Sequence, residues 1–550
     1  MTVKKRADVW TVISLVIFVL LIFFMLYPMV GMFSQSVIDG EGHFTLEQFA
    51  KFFGKKYYYS TLTNSFAITI CVTAVSLLIG VPFAYFYSFY RLRGSKFLFV
   101  LSLLCCMSPP FIGAYSWILL LGRNGLISNV LKSLLGVSVN IYGFGGILLV
   151  QSLKFFPLVF IYMNGVFKNI DNTLLEASEN LGCTGLKRFF KVVAMLSMPT
   201  MLAAALLVFM RAFADFGTPL LIGEGYRTFP VEIYTQYLGE TSGNHAFAAA
   251  ICVVAVFITA AIFWLQKVTV SRFQFSINSL HPLEKKAPRG ICGALIYIYE
   301  YGLVGIAFLP QLYTAITSFR NSNSTMFTEG YSLMNYKAAA EKLLARSIFN
   351  TVFIGLVSLA IIIVFAILIS YLVVRRRSHL NNAIDTLAML PYILPGSVIG
   401  IALITTFSKK PFALAGTFTI MIIALVIRRM PYTIRSATAT LMQIPGSIEE
   451  AARSLGASKL KALLRVTIPM MSNGIISGAI LSWVAIITEL SSAVILYNNR
   501  TITLTMSTYS AVSVRGLYGV GSAFATVLLV LTTVSLLIFL KLSKTEDIKV

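Results

Sequence analysis

The sequence predicts an all-α polytopic membrane protein whose twelve transmembrane helices form two parallel six-helix repeats. Three observations predict it. Of 550 residues, 57% are hydrophobic and only 12% charged, with a mean hydropathy of +0.82. Soluble domains carry about 25% charged residues. Apolar runs long enough to cross hydrocarbon recur along the whole chain, and two stretches of the sequence align with each other at fixed offsets. Disordered, collagenous and disulfide-scaffold classes are excluded by the same composition. The six cysteines, at 71, 105, 106, 183, 252 and 292, form no CxxC pair and offer no metal framework.

A helix needs about 20 apolar residues to span the bilayer core. Six such runs lie near 11–33, 62–90, 97–121, 143–167, 196–222 and 246–266. Six more lie near 291–317, 348–374, 383–406, 415–437, 473–497 and 517–541. The first follows Lys4, Lys5 and Arg6 but is longer than a signal-peptide core and has no small-residue cleavage site, so it is expected to be retained. An even count puts both termini on one side. With the N-terminus inside, inside segments hold about 28 Lys and Arg against about 14 outside, which orients both termini to the cytoplasmic side of the membrane. The formal charge of +23 is then largely an orientation signal, and nucleic acid is not an expected partner.

Residues 156–184 align with 430–458 at an offset of 274, matching Pro157 to Pro431, Glu176 to Glu450 and Leu181-Gly182 to Leu455-Gly456. Upstream, an offset of 286 pairs Asn64 with Asn350, Tyr85 with Tyr371 and Pro109 with Pro395. The first half therefore has about twelve extra residues between 111 and 156. Residues 1–266 make a first half, 267–290 a polar cytoplasmic linker and 291–550 a second half. Six spans return the chain to its starting side, so the halves are parallel and a substrate path is expected between them.

The most specific feature is the inside loop after the fourth span of each half. The first contains Glu176-Ala177-Ser178 and Gly182; the second contains Glu450-Ala451-Ala452 and Gly456. Each starts at a helix signal (Asp171 with Asn172, or Pro445 with Ser447) and runs as a short amphipathic helix to a glycine. Basic residues follow: Lys187, Arg188 and Lys191, or Lys459, Lys461 and Arg465. A short rigid helix between two turns suits insertion into a partner's groove.

Here the chain resembles the type I importer permeases of ATP-binding-cassette (ABC) transporters, whose signature is this Glu-Ala-Ala loop. The second copy, 444–469, fits through Ile468-Pro469. The first, 170–195, departs at Ser178 and at Met195, which stands where Pro469 aligns. The resemblance implies that Glu176, Ala177, Gly182, Glu450, Ala451 and Gly456 couple to ATPase subunits, through segments 170–186 and 444–460. It also implies two copies of an ABC ATPase, an extracytoplasmic solute-binding protein and surrounding lipid as partners. The stretches 108–117 and 213–219 look most like ferric-iron permeases. Permeases for 2-aminoethylphosphonate or thiamine are the alternatives, and an ion-coupled secondary transporter is a more distant one.

No G-x-x-x-x-G-K-[ST] occurs; Gly54-Lys55-Lys56 lacks the first glycine and the hydroxyl residue. No HExxH or GxSxG occurs either. The chain is thus expected to be no enzyme and to hold no cofactor, ATP and Mg being the partner's. Ionisable groups within spans are functional candidates. Asp215 aligns with Glu489, and both would line the path if they point inward, although Arg211 at i−4 could instead pair with Asp215. Glu489 has no basic residue one helical turn away, and a role in the path predicts that Glu489→Gln impairs uptake without loss of abundance. Pro109 and Pro395-Gly396 break the third and ninth spans and are candidate hinges. Tyr57-Tyr58-Tyr59 and Trp117 fit interfacial belts, and His43 a solvated loop.

Overall fold

In hydrocarbon a backbone can satisfy its own polar groups only as helix or closed barrel. The long apolar runs here have become helices. The computed structural model describes residues 9–39, 41–107, 110–239, 244–272, 281 and 283–542. Pro109, the basic start at Lys4, Lys5 and Arg6, and linker residues 273–280 and 282 lie outside the described residues.

Among the described residues, nine helices are long and apolar enough to cross a membrane: Val9–Val37, Lys56–Phe89, Phe111–Leu135, Phe144–Lys168, Gly185–Phe213, His245–Leu265, Gly290–Phe319, Leu344–Arg375 and Tyr518–Phe539. Two bent pairs bring the number to eleven. The helix at the remaining predicted span, Phe418–Gln443, is 26 residues long but carries Arg428, Arg429 and Arg435.

Several predicted spans are not straight rods. At the third, helices Ser95–Met107 and Pro110–Leu121 are followed by Leu126–Leu135, which falls in the region where the first half has extra residues. At the ninth, His379–Tyr392 and Gly396–Phe407 meet at 109°. Pro395 is the extended corner there, with ψ of 143°, because a proline cannot donate into the helix before it and starts the next one well. At the eleventh, Lys459–Met470 and Ser472–Ile487 bend by 70° just after Pro469.

The first helix of each half packs on the other half. Trp10 lies against Tyr371, ring centroids 4.6 Å apart, and Phe23 against Phe407 at 5.6 Å. From the seventh span, Tyr299 donates to the Ile79 carbonyl at 2.7 Å, and Tyr301 donates to that of Arg93. Each half thus completes its apolar core with a helix from the other, so the two cannot separate without exposing both cores. Trp117 is buried in the first-half core rather than in an interfacial belt, because its helix is covered on that side. Tyr58 packs edge-on against Phe247.

The longest loop segment between spans in the second half folds as a hairpin, Arg320–Asn323 with Met326–Tyr331, then the helix Met334–Lys342. Asn335 ties the two together, donating to the carbonyls of Ser318 and Arg320.

Candidate functional site: paired coupling helices and a cationic cavity

Residues Asn172–Asn180 and Ser447–Ser454 are short helices at matching places in the two halves. Asp171 caps the first, accepting from the Thr173 backbone at 3.0 Å. The second starts at Gly446 without a side-chain cap. Their C-terminal ends are the same structure. Leu181 and Leu455 donate backbone N–H to Ala177 and Ala451, both at 3.1 Å. Cys183 and Ala457 reach back to Ser178 and Ala452 at 2.8 and 3.1 Å. The residue between is Gly182 with φ of 71°, or Gly456 with φ of 90°. That left-handed turn is the reason for glycine at both places.

Glu176, Ala177, Gly182, Glu450, Ala451 and Gly456 are all exposed. Beside them stand exposed leucines that the motif did not single out. Leu181 is 86% exposed and its counterpart Leu455 90%; Leu186 and Leu460 repeat the pattern at 78% and 57%. Two equivalent patches of exposed leucine on a loop face are what a protein-binding surface presents. The signal was in the sequence, as leucine beside the glycine in both copies.

The two helices are anchored differently. The first is held by apolar contact, with Ile170 and Leu175 buried, and by Arg188 on Glu179 at 2.9 Å. The linker also touches it: Asp171 accepts from the His281 backbone at 3.2 Å. In the second, Glu449 takes the place of Leu175. It accepts from Arg375 at 2.9 Å and Tyr371 at 3.2 Å, and Arg375 also donates to the Ile444 carbonyl at 2.7 Å. Each loop then runs through one π-helical turn, Phe189–Val193 or Leu463–Thr467. Met195 in place of a proline leaves the first copy in one unbroken helix to Phe213, where the second bends; the glycine turn is unaffected.

Inside the spans, the structure rearranges the expected charge pairs. Asp215 does not pair with Arg211. The helix ends at Phe213, so the i−4 relation is lost. Asp215 instead accepts from Thr218 at 2.7 Å, Gln151 at 3.1 Å and Lys154 at 3.4 Å. Glu489 is paired with Arg428 and Arg429, and accepts from Ser492 through backbone and hydroxyl, both at 3.1 Å. The two clusters are copies at the 274 offset: Lys154 with Arg428, Asp215 with Glu489, Thr218 with Ser492. Neither acid points across to the other; each is buried against the cations of its own half, 8% and 4% exposed. The expectation that Glu489→Gln spares abundance is therefore revised, because it would strand two buried guanidinium groups.

Gly396, next to Pro395, lets this cluster close. A Cβ there would lie 1.5 Å from Arg428 Nη1 and 2.2 Å from Ser491 Oγ. Beside it, between the fifth span of the first half and the ninth and tenth of the second, is a cavity of about 40 Å³. Arg211, Arg428, Arg429, Tyr392 and Tyr432 line it. The Arg211 guanidinium sits over the rings of Tyr392 and Tyr432, at 5.5 and 5.2 Å.

Comparison with known proteins follows this geometry. The family described as the binding-protein-dependent transport system inner membrane component matches the chain twice, at residues 76–274 and 362–545. The ferric transport system permease protein FbpB of Actinobacillus pleuropneumoniae is 28% identical over 534 residues, 95% of this chain and 77% of that protein. The putative ferric transport system permease protein FbpB 1 of Haemophilus influenzae is 27% identical over 503 residues, 89% of this chain and 78% of that one. The putative 2-aminoethylphosphonate transport system permease protein PhnU of Salmonella typhimurium is 24% identical over 272 residues, 48% of this chain and 93% of its own. With a duplicated family match over most of its length, an all-helical membrane fold and a repeated coupling-type loop, the chain belongs to the binding-protein-dependent transport system inner membrane components, the permeases of ABC importers.

Proposed function

We propose that this permease imports ferric iron, in a complex with separate ATPase subunits and an extracytoplasmic binding protein. The observation that carries the iron assignment is the resemblance to two ferric transport permeases along nearly the whole chain. Two ATPase copies would dock on 170–186 and 444–460, the exposed leucines seating in their grooves. ATP and Mg would be bound there and not on this chain. Both termini and the linker would be cytoplasmic. ATPase closure would push Asn172–Asn180 and Ser447–Ser454 together, and because each half holds a helix of the other, the spans would rock as two interlocked units. Asp215 and Glu489 would hold the breaks after Phe213 and Ile487, with Pro395 as the corner beside the path between the halves.

A permease for 2-aminoethylphosphonate is the second reading, favoured by the PhnU likeness and by the arginines in the cavity. The test is reconstitution of the full complex in proteoliposomes. Ferric-loaded binding protein is expected to stimulate ATP hydrolysis and radioactive iron uptake together. Stimulation by an aminophosphonate or thiamine alone would replace the iron assignment.

A further inference from the structure

The cavity between the halves carries three guanidinium groups to one carboxylate. Arg428 and Arg429 share Glu489. Among the described residues no carboxylate lies within 4 Å of Arg211, whose guanidinium lies over the rings of Tyr392 and Tyr432. Uncompensated charge within a membrane span is costly and marks a functional site. A second observation points the same way: the Nε of Arg429 is buried and has no hydrogen-bond partner. Buried donors nearly always have one, so this N–H is available to an incoming acceptor. The volume, about 40 Å³, is enough for about three waters or one compact anion.

We propose that this cavity is an oxyanion site, taking a phosphate- or phosphonate-class group between Arg211 and Arg429. Planar guanidinium forks match such oxygens, two donors to two acceptors, and the Tyr392 and Tyr432 hydroxyls extend the donor set. The position fits translocation, since the wall is shared by the fifth span of one half and the ninth and tenth of the other, so rocking the halves changes it. The inference rests on the import assignment in one respect. A bare trivalent iron would be repelled by two excess positive charges. Iron would therefore pass as an oxyanion-coordinated complex, with the anion facing the arginines.

Equilibrium binding of radiolabelled orthophosphate to the full chain with its ATPase in nanodiscs tests the site without transport. Saturable binding is expected, competed by methylphosphonate, and weakened about tenfold to a hundredfold in Arg211→Gln, as for a lost charge-assisted hydrogen bond. Among the described residues Arg211 has no acidic partner to strand, and Arg211→Lys, which keeps the charge but loses the fork, is expected to bind more weakly than wild type and more tightly than Arg211→Gln. No saturable binding in the wild type, or equal binding in Arg211→Gln, overturns the inference. Proteoliposomes carrying both labels then separate the sources. Phosphate entering in fixed ratio to iron makes the anion a ligand of the metal. Phosphate or phosphonate entering without iron keeps the oxyanion site but overturns the iron assignment. Full iron uptake in phosphate-free medium with no phosphate bound overturns the oxyanion site and leaves the iron assignment standing.

Discussion

Glu489→Gln removes one negative charge from a deeply buried ionic cluster. The side chain of Glu489 is 2% exposed, and those of Arg428 and Arg429 are 11% and 12%. Neither guanidinium can lose its proton, so both remain charged in a low-dielectric setting. Breaking such a pair from one side costs about 3–5 kcal/mol. The amide retains an oxygen for the Ser492 N–H, which places the expected loss near the lower end. If one half melts as a unit, each kcal/mol shifts the midpoint by about 2 °C, so a fall of roughly 6–8 °C is expected. The assay is thermal denaturation of the purified complex in nanodiscs, with membrane abundance measured beside it. The double variant Glu489→Gln/Arg429→Gln removes one stranded cation and should recover about half of the loss. A single variant that melts within about 2 °C of wild type, at normal abundance, would refute the pairing and the energetics built on it.

The other outcomes concern the coupling loops and the first-half cluster. Gly182→Ala and Gly456→Ala force a side chain into left-handed backbone, at about 1 kcal/mol each; binding-protein-stimulated ATP hydrolysis should fall in both, and an unchanged rate would count against the turn. Leu181→Asp with Leu455→Asp should abolish co-purification of the ATPase while leaving the melting point of the isolated permease unchanged. Arg375→Gln frees Glu449 and the Ile444 carbonyl, so ATP hydrolysis should uncouple from uptake, seen as a lower ratio of solute moved to ATP split. Asp215→Asn should destabilise less than Glu489→Gln, because one amine rather than two guanidinium groups loses its partner; equal melting shifts would contradict this.

Much of the fold was legible because hydrocarbon leaves few options: length and apolarity alone located twelve helical regions. What the sequence hid was their straightness and their partners. Pro395-Gly396 marked a break, but a bend of 109° depends on what fills the corner, here the Arg428–Glu489 cluster against a glycine with no side chain. The charge pairs were misjudged for a related reason. Helical spacing ties Asp215 to Arg211 only while the helix lasts, and it ends at Phe213. Glu489 looked unpartnered because its arginines come from a helix 60 residues earlier. Yet the duplication held the answer, since the 274 offset carries Lys154 onto Arg428 as surely as it carries Asp215 onto Glu489. A contact found in one half predicts its copy in the other.

The places where the copies differ are then the informative ones. At the coupling loops the exposed parts, leucine and glycine, are the same in both halves, as expected if two like partners dock on them. The anchors beneath have diverged, Leu175 in an apolar core and Glu449 in an ionic one. A docking surface would constrain the exposed shape and leave its support free to vary. At the cavity the divergence is opposite in kind. Arg429 stands where the first half has Phe155, Tyr432 where it has Leu158, and Arg211 where the second half has Ala485. Each half has contributed charge that the other lacks, and the contributions meet at one wall. A substrate crossing a two-fold interface meets both halves at once, so it needs only one copy of each recognition group. The asymmetry of the cavity, inside an otherwise repeated frame, is what a single solute site between two halves requires.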